Sequence, residues 1–155
     1  MLSDWLKVGQ WNRDGNTLTR QGGDFVLAPV DLRQGAIQFT VSLIRGKRLE
    51  WVLGYRDLKN YALFQIDGSN FERASIADGK RDKPFRVPYT SKRGEPITIS
   101  IAVSPKSIVH SIPNGPNKRV LDDWEPSVGM PAGKFGFHIP GRDEIGLTDF
   151  RLTTN

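Results

Sequence analysis

The chain has 155 residues, the size of one ordinary domain, and its 37% apolar and 25% charged residues suit a packed core and argue against disorder. It has no cysteine, which excludes disulfides, thiolate metal sites and a cysteine nucleophile. The net charge of +5 favours anionic partners such as nucleic acid, acidic glycans or lipid headgroups.

Taken in chain order, Trp5 and Trp11 precede a turn at Asp14-Gly15-Asn16. Leu18 leads through Gly22-Gly23 into an apolar strand at Phe25-Val26-Leu27, which Pro29 should stop. From Ala36 to Leu43 the pattern alternates, with Ile37, Phe39, Val41 and Leu43 on one face and Gln38, Thr40 and Ser42 on the other. That period is a half-buried strand. A hairpin follows: Leu49 to Tyr55, a turn at Asp57-Leu58-Lys59-Asn60, and a return over Tyr61 to Asp67. Phe71 to Ile76 is the next strand, turning at Asp78-Gly79, with a neighbour near Phe85-Arg86-Val87. Ile97, Ile99, Ile101 and Val103 mark the clearest strand, ended by Pro105. Ser107 to Ile112 and Lys118 to Leu121 flank the turn pair Asn114-Gly115. Phe135 to Ile139 and Leu147 to Leu152 finish the series, separated by Pro140-Gly141-Arg142.

The 16 glycines and 10 prolines are spread out rather than clustered, as turns between short strands require. No stretch has helical periodicity, and evenly spaced strands without helices imply an all-β sandwich or barrel. Without repeat, linker or low-complexity tract, residues 1–155 read as a single domain, possibly one cut from a longer protein. No run approaches the ~18 apolar residues of a membrane span, so membrane insertion is not expected. Met1-Leu2-Ser3-Asp4-Trp5 lacks the features of a signal peptide.

The phrases "WVLGYRDLKNYALFQID" and "NFERASIADGKR" resemble the central hairpin of concanavalin A-like lectin/glucanase domains. The run "PITISIAVSPKSIVHSIPNG" and the ending "GKFGFHIPGRDEIGLTDFRL" add to this likeness, which extends from about Trp11 to Leu152. The chain is most similar in flavour to the laminin-G-like group that includes 3-keto-disaccharide hydrolase-like domains. The resemblance implies an antiparallel two-sheet jelly-roll sandwich with ligands on a concave face or its rim. It also favours an exported or cell-surface setting and a bacterial source.

The glucanases of that fold carry Glu-x-Asp-x-Glu on one strand, which places alternate carboxylates on one face for acid and nucleophile work. No such run is present, which argues against that chemistry. The nearest acidic cluster, Asp122-Asp123-Trp124-Glu125 before Pro126, reads as loop, either solvated or binding a cation. The fold's relatives often hold a structural calcium between the termini; Asp149 could contribute, but no cofactor is assigned. Of the two histidines, His110 reads as an exposed edge residue. His138 lies between Phe137 and Ile139 and points away from their face, in a structural or a ligand-bonding role.

Sugar recognition needs planar hydrogen-bonding groups beside an exposed ring. Arg56, Tyr61, Gln65 and Asp67 meet that need, with Glu50 across the hairpin, His138 nearby and Trp124 as a ring to test as a platform. The competing reading is an ordinary wet sheet face with a cross-strand ion pair, and for Trp5, Trp11, Trp51 and Trp124 packing in the core. The basic residues Lys80, Arg81, Lys83, Arg86, Lys92 and Arg93 read as loop positions, either solvated or an anion patch. Three functions follow: a non-catalytic recognition module for carbohydrate or cell surfaces, a hydrolase acting on a sugar derivative, and a protein or anionic-polymer contact through the basic loops. Nucleic acid is the least favoured partner.

Overall fold

The structure is a computed structural model that describes residues 11–126 and 133–154. In chain order its strands are β1 (Asn12–Asp14), β2 (Thr17–Gln21), β3 (Asp24–Asp31), β4 (Gly35–Arg45), β5 (Leu49–Asp57), β6 (Asn60–Ile66) and β7 (Asn70–Ala77). They continue as β8 (Lys80–Arg81), β9 (Phe85–Pro88), β10 (Ile97–Val103), β11 (Ile108–Ile112), β12 (Arg119–Trp124), β13 (Lys134–Ile139) and β14 (Glu144–Thr154). Among the described residues there is no helix, and so none long and apolar enough to cross a membrane.

The strands form two antiparallel sheets of seven. The first runs β1-β2-β14-β4-β10-β11-β12. The second runs β3-β13-β5-β6-β7-β8, with β9 also pairing β7. The chain changes sheet repeatedly, at every step from β2 to β5 and again from β12 to β14. This is a jelly-roll sandwich, the arrangement that the resemblance implies and one of the two that the strand pattern allows. Its clearest strands pair at the centre of the first sheet, where Ile99 stands opposite Phe39 and Ile101 opposite Ile37.

The inward sets of both sheets are apolar, and their burial makes the core. Phe39 of β4 meets Trp51 of β5 at 5.8 Å and Phe137 of β13 at 5.2 Å, both edge to face. These cross-sheet contacts set the register of the sandwich. Trp51 is buried and Trp11 packs edge-on against Phe137, so both serve the core; Trp5 lies outside the described residues. Pro29 does not end its strand. It sits inside β3, which lies at the sheet edge, where a residue without an N–H is tolerated.

Two polar links cross the space between the sheets. Trp51 Nε1–H donates to His110 Nε2 of β11 at 2.9 Å. Arg73 of β7 donates through Nε to Asp122 Oδ2 of β12 at 2.7 Å, and its guanidinium lies between the rings of Trp124 and Phe85, at 4.5 and 4.8 Å. Two sequence expectations are corrected here. His110 is no edge residue: its inward-facing position on β11 buries it completely. Asp122, Asp123 and Trp124 belong to β12 rather than a loop, and Asp122 is buried by its pairing with Arg73. Trp124, half-buried, packs against the core and Phe64, in keeping with the core-packing reading of its ring. Burial pushes the His110 pKa down to about 3, with the nearby Arg73 charge adding to it, so the ring is neutral.

Candidate functional site

Side chains that alternate with the core set of the second sheet point to its outer face, which carries the chemistry. Register places them in a row across the strands. His138 of β13 stands opposite Phe25 of β3 and Glu50 of β5, Glu50 opposite Gln65 of β6, Gln65 opposite Glu72 of β7, and Glu72 opposite Arg86 of β9.

Within this row two groups are bonded, one around His138 and one around Glu72. His138 Nε2 lies 3.0 Å from Asp24 Oδ1, and Nδ1 lies 3.4 Å from Glu50 Oε2. Gln65 Nε2 donates to Glu72 Oε2 at 3.1 Å, and Gln65 Oε1 has no partner among the described residues. Arg86 Nε and Arg81 Nη2 donate to the two Glu72 oxygens at 3.0 and 3.3 Å. Burial alone would lower the His138 pKa. The neighbouring Glu50 carboxylate, whose contact with Nδ1 is an ion-pair approach and not a formed hydrogen bond, then the hydrogen-bonded Asp24, outweigh it and raise the pKa above the ordinary histidine value. The ring is therefore a cation held between two carboxylates at the acidic end of physiological pH.

Beside the row, Val52, Leu63 and Ala74 form a buried apolar strip on the same face, outside the core between the sheets. Next to it lies an aromatic group. Phe25 stacks on His138 at 4.4 Å and meets Tyr55 at 4.9 Å and Tyr61 at 5.2 Å, and the two tyrosines stack at 5.7 Å. All three rings are half-buried. Tyr55 reaches this face through an irregularity in β5 at Gly54, whose φ of 61° suits glycine. Burial raises the pKa of both phenols, helped by the charge of Asp24 on Tyr55 and of Glu50 on Tyr61, so both hydroxyls stay protonated and can donate.

Of the residues singled out from sequence, Glu50, Tyr61, Gln65 and His138 share this face. Asp67 does not: it sits in the turn after β6, where Oδ1 accepts from the N–H groups of Ser69 and Asn70 at 3.0 and 2.9 Å. Burial would raise its pKa, but these bonds outweigh it and lower the pKa. Arg56 is exposed beyond Tyr55 near the end of β5, with no side-chain partner among the described residues. Trp124 belongs to the first sheet. Sequence reasoning missed Asp24, Phe25, Tyr55, Glu72, Arg81 and Arg86. Alternation with Phe71 would have put Glu72 on the outer face. Arg81 and Arg86 were taken for loop residues, and β8 and β9 correct this by turning them onto Glu72. Asp149 is exposed, and among the described residues no three His, Cys, Asp or Glu side chains are placed to hold a metal ion.

Neither a protein-family model nor a curated protein matches the sequence. Solved structures do match. The carbohydrate-binding module CBM66 from Bacillus subtilis aligns over 94% of this chain and 92% of its own, at a TM-score of 0.74 and 14% identity. Sheep galectin-11, in complex with glycerol, aligns over 91% of this chain and 100% of its own, at 0.64 and 12%. A xylan β-1,4-xylosidase from Bacillus halodurans aligns over 88% of this chain but 32% of its own, at 0.66 and 8%. With two facing seven-stranded antiparallel sheets and these neighbours, the chain has a jelly-roll β-sandwich fold that it shares with the carbohydrate-binding module and the galectin.

Proposed function

We propose that the protein is a carbohydrate-recognition module whose ligand lies on the outer face of the second sheet. The observation that carries this reading is the aromatic group of Phe25, Tyr55 and Tyr61 beside the bonded polar row. Rings offer a surface for the apolar face of a sugar, and the phenols, Glu50 and His138 offer donors and acceptors for its hydroxyls. His138 lies against Asp24 and Glu50, and Glu72 is bonded to Gln65, Arg81 and Arg86, so these groups are partly ordered before a ligand arrives, which reduces the ordering cost of binding. Arg56, exposed beyond the rings, would reach a longer ligand. That the neighbouring folds include a carbohydrate-binding module and a galectin agrees with this reading.

The test is a glycan array followed by calorimetry on the best ligand. Tyr61→Ala should weaken binding about tenfold or more, and Arg56→Ala less. An array without any sugar hit, or a Tyr61→Ala variant that binds like the wild type, would sink the proposal.

One observation favours a second reading, a hydrolase acting on a sugar derivative. Asp24 and Glu50 converge on His138 from either side. Two carboxylates flanking a bond are what glycoside hydrolysis requires. Reducing-sugar release from the array ligand, abolished in Glu50→Gln, would establish it; intact ligand after prolonged incubation would remove it.

A further inference from the structure

A second concave feature lies off the sheet face, at one end of the sandwich. The β4–β5 turn, the β6–β7 turn and the β9–β10 connection enclose an open cleft of about 360 Å³. Its floor is apolar, made by Leu43, Leu49, Ile66 and Ile97. Lys47, Lys92 and Arg93 line it, and none of these three cations has an ion-pair partner among the described residues.

Two carboxylates also line the cleft, Asp67 and Glu95, and both are turned onto backbone. Asp67 Oδ1 takes the Ser69 and Asn70 N–H groups, and Glu95 Oε2 takes the Lys92 N–H at 3.1 Å. Both carboxylates keep their negative charge, but their bonds to backbone leave neither of them paired with Lys47, Lys92 or Arg93. The framework is held in place as well. Ser91 N–H donates to Gly68 O at 3.1 Å and Tyr89 N–H to Ser69 O at 3.0 Å, tying the β9–β10 connection to the β6–β7 turn. Glu95 N–H donates back to Lys92 O at 3.1 Å, closing a tight turn with Arg93 and Gly94 at its centre. Gly94, at a φ of 80°, supplies the left-handed position that the turn needs.

We propose that this cleft is an oxyanion site that takes a sulfate or carboxylate group, carried by an acidic sugar. Each exposed cation contributes a modest attraction, and three of them against two backbone-bonded carboxylates leave the cleft with a net positive charge to offer one anion. A pocket of this volume suits a monosaccharide-sized body with one charged group. The oxyanion part stands independently of the sheet-face reading; that a sugar carries the anion rests on it. The row on the sheet face, by contrast, interleaves its own positive and negative groups and leaves no uncompensated cation cluster.

The experiment is a nitrogen-15 NMR titration of the full chain with inorganic sulfate, D-glucuronate and, as a neutral control, D-glucose, repeated on K47Q, K92Q, R93Q and the triple variant. All three side chains are exposed, so the variants should fold, and thermal unfolding checks that they do. Sulfate and glucuronate should shift amides of residues 46–48, 67–69 and 91–95, and glucose should not. Each single substitution should weaken the anions roughly two- to five-fold, as expected for exposed charge pairs, and the triple variant should lose the shifts. Sulfate shifts without glucuronate shifts would overturn the acidic-sugar part alone. Shifts spread equally over residues 80–86, shifts that survive in the triple variant, or no anion response would overturn the site itself. Loss of neutral-sugar binding in Tyr61→Ala with sulfate binding intact would separate the two sites.

Discussion

The two histidines occupy opposite sides of the second sheet's chemistry. His110 is sealed between the sheets, accepts one hydrogen bond from Trp51 and is held neutral. His138 lies on the outer face, flanked by Asp24 and Glu50, and is favoured as the cation. The same side chain is thus pushed in opposite directions by its surroundings. Burial decides where no counter-charge is present, and carboxylates decide where two can reach the ring. The inner polar groups hold the sheets together, while the outer ones shape a surface.

The largest effect should come from the inner region. Arg73→Ala leaves the Asp122 carboxylate buried without its partner, which should cost about 3–5 kcal/mol in urea unfolding. A loss below ~1 kcal/mol would mean that the pair behaves like a surface contact. The second test is acid. His110 has a depressed folded-state pKa, so its contribution is present above the unfolded value of 6.5 and is lost as pH falls toward about 3. Across that window stability should fall by about 1.4 kcal/mol per pH unit through this group. His110→Leu should flatten that slope in pH-dependent unfolding curves, and an unchanged slope would reject the assignment.

His138 should behave in the reverse sense. Its folded pKa is raised, so its contribution is complete below 6.5 and is lost as pH rises through the folded value. Carbon-13 NMR of the two rings should show His138 titrating above 6.5 and His110 staying neutral well below it. The smallest effect belongs to Asp24→Asn. The Asp24 side chain is largely exposed, so the change should cost under ~1 kcal/mol while moving the His138 titration downward. An unmoved titration would show that Glu50 alone sets it.

Much of the fold was legible because alternation is local. The β4 run Ile37, Phe39, Val41, Leu43 and the β10 run Ile97, Ile99, Ile101, Val103 declare a buried face whatever they pair with. The same logic put His138 opposite Phe137, and Tyr61 and Gln65 opposite Phe64. It failed for Asp67 because a carboxylate at a strand end can bond the following turn instead of continuing the face. His110 has the parity of Ile108 and Ile112, so alternation places it inward, and Asp122 lies just past the strand read to Leu121; what local pattern does not supply for either is the partner that makes a buried polar group tolerable. Those partners, Trp51 and Arg73, lie 59 and 49 residues away in the chain.

The sequence by itself determined the strands, their buried faces and an all-β sandwich or barrel, since side-chain period and turn residues act over a few neighbours; the jelly-roll class came from the resemblance. Only the tertiary structure decided which strands meet. It brought Asp24 to His138, Arg86 to Glu72 and Lys47 to the cleft beside Arg93. Such convergence depends on strand order and register across two sheets, which no local spacing encodes.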